Sequence, residues 1–299
     1  MLLDKNPAYD AITSIVSDPQ VKVLAGDVTD VATLENLVQN HGIEAVVHTA
    51  ALLSTAIRMD PLAGIQVNIM GTANVLEVAR RQGLRRVVLA SSSTVGYQAF
   101  GDFTGDAFPE DFPLQFIRHR PASIYVGTKV AGEYLGLLYR DLYGQSVVAL
   151  RYAAVISAWS GPGTSVPGKV LASLLLPARR GETAVINDPY TVWNGGEEFV
   201  DARDCASANV AALDAVDPTQ GIYNVGMGQL FSFDAFVDAV RLCQPNLRVR
   251  LDVQPAGGFA GFPHVRSSAS DLSAAARELG WAPAYSLADA IAHYAPLLN

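Results

Sequence analysis

Two residues suited to proton transfer, Tyr125 and Lys129, stand four positions apart. In a helix, residues i and i+4 share a face, so the phenol and the ammonium can point into the same cleft. A nearby ammonium favours the phenolate and lowers the pKa of the phenol, which makes a tyrosine usable as an acid or base at neutral pH. By itself the spacing is a modest signal, because a solvent-exposed pair on a helix explains it equally well.

A cluster of hydroxyl groups precedes this pair. Ser91, Ser92, Ser93 and Thr94 directly follow the apolar run at 86–90. If that run is a β-strand, the hydroxyls stand at its carboxyl end, where a serine can hydrogen-bond a substrate oxygen beside the tyrosine. Taken alone, serines after a strand are more typical of ordinary turns.

The elements that must position these residues alternate along the chain. Short, nearly continuous apolar runs predict strands buried on both faces of a parallel sheet, at 21–25, 45–49, 86–90, 147–151 and 222–225. Helical patterns lie at 31–40, 61–82, 123–143, 233–242 and 287–297. Asp30 and Asp60 are the predicted N-caps of the first two, and Pro61 takes a first helical position.

This alternation predicts an α/β fold, a Rossmann-type doubly wound parallel sheet with right-handed crossovers. We expect residues 1–152 to form its core domain. Residues 153–299 are expected to form a mixed region, with a smaller substrate-binding lobe and returning core elements. Ligands of such sheets bind outside the carboxyl ends of the strands, where the hydroxyl cluster is predicted.

Composition excludes several classes of protein and partner. Half of the 299 residues are hydrophobic and 17% are charged, which suits a sizeable core and excludes a disordered or fibrous chain. A net charge of −8 without Lys/Arg clusters argues against nucleic acid or an anionic membrane as partner. Two cysteines, Cys205 and Cys243, predict neither a disulfide framework nor a metal site. With neither a signal peptide nor an apolar stretch of about 18 residues, a cytoplasmic protein is expected.

Further segments occur in a specific order along the chain: 26–30, 48–51, 67–76, 150–152, 198–204, and 279–283 with 286–287. Together with the serine cluster and the Tyr125/Lys129 pair, they resemble the NAD-dependent epimerase/dehydratase family of the extended short-chain dehydrogenase/reductase superfamily. Each segment is weak evidence alone, but their shared order is strong, and the resemblance extends from Asp4 over nearly the whole chain.

The resemblance implies roles for three catalytic residues. Tyr125 would exchange a proton with a substrate hydroxyl or carbonyl while a hydride passes between the substrate and the nicotinamide ring. Lys129 would lower the pKa of Tyr125 and bind the nicotinamide ribose. Ser93 would orient the substrate oxygen, with Ser92 as the alternative.

The resemblance also implies which residues bind the cofactor, NAD rather than NADP. They are Asp4 at the adenosine ribose, Asp27 and Val28 at the adenine, Ala50 and Ala51 along the dinucleotide, Asn68 in support, Tyr125 and Lys129 at the nicotinamide ribose, and Tyr152 near the nicotinamide.

The N-terminus departs from the family pattern. The family begins with a strand, a glycine-rich turn and a helix whose N-terminus takes the pyrophosphate. Here residues 1–5 look like the end of the second strand, so about 25–30 residues of the pattern are missing. Either the natural start lies upstream, or the short protein has remodelled or lost dinucleotide binding. We expect the 299-residue chain to bind NAD(H) poorly, which tight NADH binding in a fluorescence titration would contradict.

Two more departures concern the substrate. The segment 98–122 between Ser93 and Tyr125 is long and carries five phenylalanines, which predicts an ordered loop over the substrate site. Ala153 and Ala154 follow Tyr152, where enzymes of nucleotide sugars often carry an asparagine. Four arginines could grip a diphosphate, although surface placement is their default: Arg179, Arg180, Arg203 and Arg266.

The sequence therefore predicts an NAD(P)-dependent oxidoreductase or epimerase/dehydratase acting on a hydroxylated small molecule, with a nucleotide sugar first. The alternatives are an alcohol dehydrogenase or ketone reductase of the same superfamily, and a non-catalytic Rossmann-like regulatory protein with impaired cofactor binding. A homodimer is expected, formed through the helices at 61–82 and 123–143.

Overall fold

Two units make up the chain in the computed structural model, which describes residues 1–157 and 165–298. The first unit combines Met1–Ser91 with Ser123–Ala149, and the second combines Ser92–Ala122 with Leu150–Asn299. In chain order the strands are β1 (Leu2–Asp4), β2 (Val23–Ala25), β3 (Ala45–His48), β4 (Arg86–Ser92), β5 (Ala107–Phe108), β6 (Val147–Tyr152), β7 (Ala154–Ile156), β8 (Ala184–Ile186), β9 (Phe199–Asp201), β10 (Ile222–Val225), β11 (Val249–Leu251) and β12 (Ala269–Ser270).

The α-helices are α1 (Tyr9–Ile15), α2 (Val31–His41), α3 (Ser54–Met59), α4 (Pro61–Ile65), α5 (Gly71–Gln82), α6 (Ile124–Tyr143), α7 (Val166–Arg179), α8 (Ala202–Asp214), α9 (Phe233–Cys243) and α10 (Leu287–Tyr294). No helix within the described residues has the length and apolar character that a membrane crossing requires.

Helix boundaries in the first unit follow from capping residues. The Asp30 carboxylate accepts the Thr33 N–H at the start of α2, and the Asp60 carboxylate caps α4, where Pro61 occupies the first turn. Ser123 caps α6, which ends at Gly144 in the left-handed conformation that favours glycine. The predicted N-caps and the position of Pro61 are therefore confirmed.

The predicted helix at 61–82 is continuous but not uniform. Between α4 and α5 lies a π-helical turn, Gln66–Met70, which contains the buried Asn68. Such turns widen the helix by one residue and often occur at functional sites. The apolar periodicity of this stretch does not indicate it.

The sheet of the first unit is parallel. β1 pairs with β2, with Leu3 opposite Leu24, and β3 pairs with β4, with Val47 opposite Val88. The other neighbour of β4 is β6, which begins in the first unit and ends in the second. β4 extends through Ser92, so Ser91 and Ser92 belong to the strand and not to a turn.

The strands of the first unit fall into two separate pairings, β1 with β2 and β3 with β4. A cavity of about 260 Å³ is lined by apolar side chains of β1, β3, α2 and α5, including Leu3, Val46 and Val75. The strand order 3-2-1-4 of a doubly wound sheet places one further strand between the equivalents of β1 and β3. In the described part of the chain, no strand occupies that position.

The second unit contains parallel pairs β7–β9, β8–β11 and β5–β12. At its start, the Ala153 N–H donates to the Val225 carbonyl, as β10 adjoins the end of β6. Its core includes α7, α9 and α10 around Trp193 and Phe199. In the segment 98–122 the rings of Phe100, Phe103, Phe108 and Phe112 pack with centroids 4.8–5.5 Å apart, which gives this segment an apolar core of its own.

We predict that a polar side chain is tolerated on β3 beside the cavity but is destabilising at the paired position of β4. Val47 is 37% exposed, whereas its register partner Val88 is fully buried. Val88→Thr should lower the free energy of unfolding by about 1–3 kcal/mol, because it buries a hydroxyl. The matched substitution Val47→Thr should cost less than about 0.5 kcal/mol. Urea denaturation measures both, and equal costs would show that the β3 edge is covered in solution.

Candidate active site

Tyr125 and Lys129 lie on the first two turns of α6. The Lys129 ammonium donates a hydrogen bond of 2.7 Å to the Ala90 carbonyl near the end of β4. It lies 5.8 Å from the centroid of the Tyr125 ring. The spacing of four residues thus places phenol and ammonium on the same side of the helix, next to the carboxyl end of a central strand.

The surroundings of Lys129 set the charge of two groups. Burial lowers the pKa of Lys129 to about 8, and the nearby Glu133 carboxylate acts in the opposite direction. Burial, with a smaller contribution from Lys129, lowers the pKa of His48 to about 4. At pH 7 Lys129 is therefore charged and His48 is neutral.

The Asn68 side chain connects the segment after β3 to the start of α6. Its oxygen accepts the Leu52 N–H at 2.8 Å, and its amide nitrogen donates to the Leu52 carbonyl at 3.0 Å. The same nitrogen donates to the Thr128 hydroxyl at 3.1 Å, and Thr128 in turn donates to the Tyr125 carbonyl at 2.7 Å. Asn68 thus acts on the helix turn that carries Tyr125, through Thr128.

His48 has a partner that explains its burial. Its Nε2 lies 3.1 Å from the Thr72 hydroxyl, which donates to the Asn68 carbonyl at 2.7 Å. Because the Thr72 proton is committed, the Nε2–H tautomer of His48 is the donor. The described residues contain no group of three or more His, Cys, Asp or Glu side chains that could hold a metal.

Several predicted site residues of the first unit line a small cavity of about 20 Å³. This volume holds about one water molecule. The lining residues include Ala50, Ala51, Asn68, Lys129, His48, Ser91, Thr128 and Glu133. The fold therefore brings together four residues that the sequence singled out from separate segments, Ala50, Ala51, Asn68 and Lys129.

Asp4 and Asp27 lie at the carboxyl ends of two paired strands. Asp4 is the last residue of β1, opposite Ala25 of β2, and its carbonyl accepts the Gly26 N–H. The Asp27 carboxylate accepts from the Lys5 ammonium at 2.8 Å and from the Thr29 N–H. The hydrogen bond from Lys5 is the main reason that the pKa of Asp27 falls to about 2, so this carboxylate is charged at neutral pH.

Val28 follows in the same turn and is held by α5. Its carbonyl accepts from the Asn74 amide at 3.0 Å. A Cβ atom on Gly71 would meet the Val28 side chain at 2.7 Å, so glycine permits this close approach of α5.

The three serines of the hydroxyl cluster have different surroundings. The Ser91 hydroxyl donates to Glu133 within the first unit. In the second unit, the Ser92 oxygen accepts the Thr94 N–H at 3.3 Å and the Thr94 hydroxyl at 2.9 Å, as the cap of a 3₁₀-helix, Ser93–Asp102. Ser93 is the buried first residue of that helix. The Ser92 hydroxyl is thus occupied by a local structural role.

Tyr152 is a half-buried residue at the end of β6. Its hydroxyl donates to the Asn209 side-chain oxygen at 2.9 Å, and burial raises its pKa. Tyr152 therefore keeps its proton at neutral pH.

The four arginines considered for a diphosphate all have partners within the second unit. Arg266 is 3% exposed and forms ion pairs with Glu197, at 3.3 Å, and Glu198. The expected surface placement is therefore wrong for Arg266. The other pairings are Arg203 with Asp201 and the Tyr285 ring, Arg180 with Glu182, and Arg179 with the Ala295 and Leu298 carbonyls.

Sequence reasoning missed Glu133 and the separate role of Ser91. Glu133 follows Lys129 by four residues and Tyr125 by eight, so the same helical periodicity that identified the pair also places Glu133 on their face. The burial of the Arg266 side chain against two adjacent glutamates had no comparable sequence signal.

The comparisons with known proteins agree with this geometry. The family model "NAD dependent epimerase/dehydratase family" matches residues 3–226. UDP-glucuronate 4-epimerase 4 of Arabidopsis thaliana is 28% identical over an alignment of 284 residues, which covers 87% of this chain and 59% of that protein. This chain thus spans less than two thirds of that relative's length.

Solved structures share the Rossmann-type fold. The UDP-glucose 4-epimerase of Thermus thermophilus, in complex with NAD, has a TM-score of 0.71 at 26% identity, covering 94% of this chain and 86% of that one. The L-threonine dehydrogenase of Clostridium difficile has a TM-score of 0.76 at 21% identity, covering 94% and 84%. The predicted fold class and the sequence resemblance are both confirmed: the chain belongs to the NAD-dependent epimerase/dehydratase family.

Proposed function

We propose that the chain is an NAD-dependent oxidoreductase or epimerase/dehydratase in which Tyr125 moves a proton on a hydroxylated small molecule. The observation that carries the proposal is the Lys129 ammonium, fixed on the Ala90 carbonyl and directed past the Tyr125 ring. At neutral pH this ammonium is charged, so it favours the phenolate of Tyr125 and lowers its pKa. Tyr125 can then accept a proton from a substrate hydroxyl and return it to a carbonyl.

Ser93 is the proposed residue that orients the substrate oxygen. The Ser92 oxygen caps the 3₁₀-helix by accepting two bonds from Thr94, and the Ser93 hydroxyl bonds the Tyr97 side chain, so Ser92 stays the alternative. Ser93 follows directly from the end of β4, the strand that also supplies the carbonyl under Lys129.

The described residues fit the two ends of an NAD molecule. The carboxylates of Asp4 and Asp27 suit the hydroxyls and amino group of adenosine, beside Val28. The small side chains of Ala50 and Ala51 would let a dinucleotide approach the backbone, and the Lys129 ammonium suits the nicotinamide ribose. When bound, NAD supplies the site that accepts and donates the hydride. Asn68 supports α6 through Thr128. Tyr152 is proposed to lie near the nicotinamide.

The acidic residues at the ends of β1 and β2 favour NAD over NADP as the cofactor. The Asp27 carboxylate is ionised, and Asp4 lies at the neighbouring strand end. The Asp27 charge is offset by its ion pair with Lys5, but a 2′-phosphate beside the Asp4 carboxylate would be repelled, whereas ribose hydroxyls can donate to it.

The arginine pairings bear on the substrate. A nucleotide sugar carries a diphosphate, which proteins commonly grip with arginine. Arg266, Arg203 and Arg180 are each engaged by carboxylates of their own unit, so a diphosphate would have to compete with these ion pairs. This observation favours the second candidate, an alcohol dehydrogenase or ketone reductase, over an enzyme of nucleotide sugars.

We further propose a homodimer in the cytoplasm. Apolar side chains are exposed along the helical stretch 61–82 and along α6, among them Leu62 (77% exposed) and Leu142 (66% exposed). Exposed apolar patches of this kind mark protein interfaces. Cys205 and Cys243 are free thiols, which supports a reducing compartment.

The Tyr125→Phe variant tests the proposed chemistry. It should reduce turnover by about 100-fold or more, because the phenol proton is removed while the ring stays. The assay follows NADH absorbance with a panel of small secondary alcohols, and separately the epimerisation of UDP-glucuronate without net NADH. Tyr9→Phe, which removes the hydroxyl of a half-exposed tyrosine elsewhere in the first unit, is the control. Turnover that is unaffected by Tyr125→Phe would refute the catalytic role.

The Leu142→Glu variant tests the homodimer. A charge in the proposed interface should shift the protein towards monomer in sedimentation velocity, because the carboxylate would have to be desolvated. Val216→Glu changes an aliphatic residue that is also open to solvent, in the second unit, and should leave the dimer intact. A wild-type chain that sediments as a monomer at micromolar concentration would contradict the proposal.

A further inference from the structure

Glu133 is a buried carboxyl group that the proposed chemistry does not yet use. Only 5% of the residue is exposed, whereas the other acidic residue of α6, Asp141, lies at the surface. Carboxyl groups are seldom buried this deeply without a partner or a function. Glu133 lies one helical turn beyond Lys129 and lines the same small cavity.

One partner of Glu133 lies next to the residue that accepts from Lys129. The Ser91 hydroxyl donates to the Glu133 carboxylate at 2.5 Å, and the adjacent Ala90 carbonyl accepts from Lys129. Two successive turns of α6 are thus bound to two consecutive residues of β4. This double attachment fixes the strand end on which the ammonium rests.

The cavity contains few other charges that could act on Lys129. His48 faces it from the end of β3 and is neutral at pH 7, and the phenol of Tyr125 faces the ammonium from the preceding turn of α6. The remaining polar groups of the lining are the uncharged Asn68, Thr72, Ser91 and Thr128 side chains. Among the residues that line this cavity, Glu133 therefore supplies the negative charge.

We propose that Glu133 is a positioning residue, whose carboxylate keeps the Lys129 ammonium charged beside the end of β4. The catalytic part of this inference rests on the proposed function of Tyr125 and Lys129. The electrostatic part concerns Lys129 alone and can be measured without turnover.

The sign of the effect follows from the charges. A carboxylate near an ammonium stabilises the protonated form, so its removal makes the lysine lose its proton at lower pH. The pKa of Lys129 is already lowered by burial, to about 8 with Glu133 present. Without that charge, a larger fraction of Lys129 would be neutral near pH 7, and the phenolate of Tyr125 would lose part of its support.

The experiment is a direct titration of Lys129. The chain contains four lysines, so ¹³C-labelled lysine gives a simple NMR spectrum, in which Lys129→Met identifies the Lys129 signal. In Glu133→Gln the midpoint of Lys129 should fall by at least about one pH unit, a tenfold change in its proton affinity. Ser91→Ala removes the hydrogen bond but keeps the carboxylate, so Lys129 should titrate as in the wild type. An unchanged midpoint in Glu133→Gln, or an equal fall in Ser91→Ala, would overturn the proposal.

A second variant protects the test against misfolding. Ser91→Ala/Glu133→Met replaces both members of this hydrogen bond by apolar groups, so the Ser91 hydroxyl is not left buried without its acceptor. It should show the same fall in the Lys129 midpoint, and an unchanged midpoint in this folded variant would equally overturn the proposal.

Kinetics separate this inference from the proposed function. In Glu133→Gln the alkaline limb of kcat/KM should move to lower pH, with turnover at pH 6 retained within about threefold. If Tyr125→Phe retains turnover, the proposed function fails, whereas the Lys129 titration still decides the role of Glu133. If Tyr125→Phe abolishes turnover but neither the Lys129 midpoint nor the alkaline limb moves in Glu133→Gln, the inference about Glu133 alone fails.

Discussion

The hydrogen bond from the Lys129 ammonium to the Ala90 carbonyl is the contact on which the site depends. It brings a charged side chain of α6 to the carboxyl end of a strand that has neighbours on both sides. The helix begins at the Ser123 cap, and the spacing of four residues places Tyr125, Lys129 and Glu133 on successive turns of one face.

Several other contacts hold the same helix start in place. Asn68 reaches Thr128 from a π-helical turn, and Glu133 reaches Ser91 from the next turn of α6. Each is a buried polar group whose partners are supplied by another element, and such groups are costly to leave unpaired. The first unit thus combines a rigid arrangement around Lys129 with an open apolar cavity between β1 and β3. The residues proposed to bind the nicotinamide ribose are therefore held by more polar contacts than the region between β1 and β3.

Local rules of the sequence predicted much of this fold. Strand β10 has the predicted bounds, and the predicted caps Asp30 and Asp60 stand where helices begin, because a side-chain oxygen satisfies a free N–H wherever the chain folds. The pairing of residues 2–4 with β2 agrees with the interpretation of the N-terminus as a second strand.

Features that depend on tertiary packing were not predictable. The π-helical turn at Gln66–Met70 keeps the apolar periodicity of an ordinary helix, so sequence patterns do not reveal it. The grouping of 92–122 with the second unit depends on contacts far along the chain. The ion pairs of Arg266 with Glu197 and Glu198 join residues 69 and 68 positions apart, and their burial reverses the usual expectation for charged side chains.

The most direct test of the account is a spectrophotometric titration of the tyrosine phenolates. In the wild type, one phenolate should form well below the ordinary tyrosine pKa of about 10. That early step should be absent in Tyr125→Phe, because the phenol is gone. In Lys129→Met it should move to higher pH, because the ammonium that stabilises the phenolate is removed. Wild-type and Tyr125→Phe curves that coincide below a pH of about 10 would contradict the claim that Lys129 activates Tyr125.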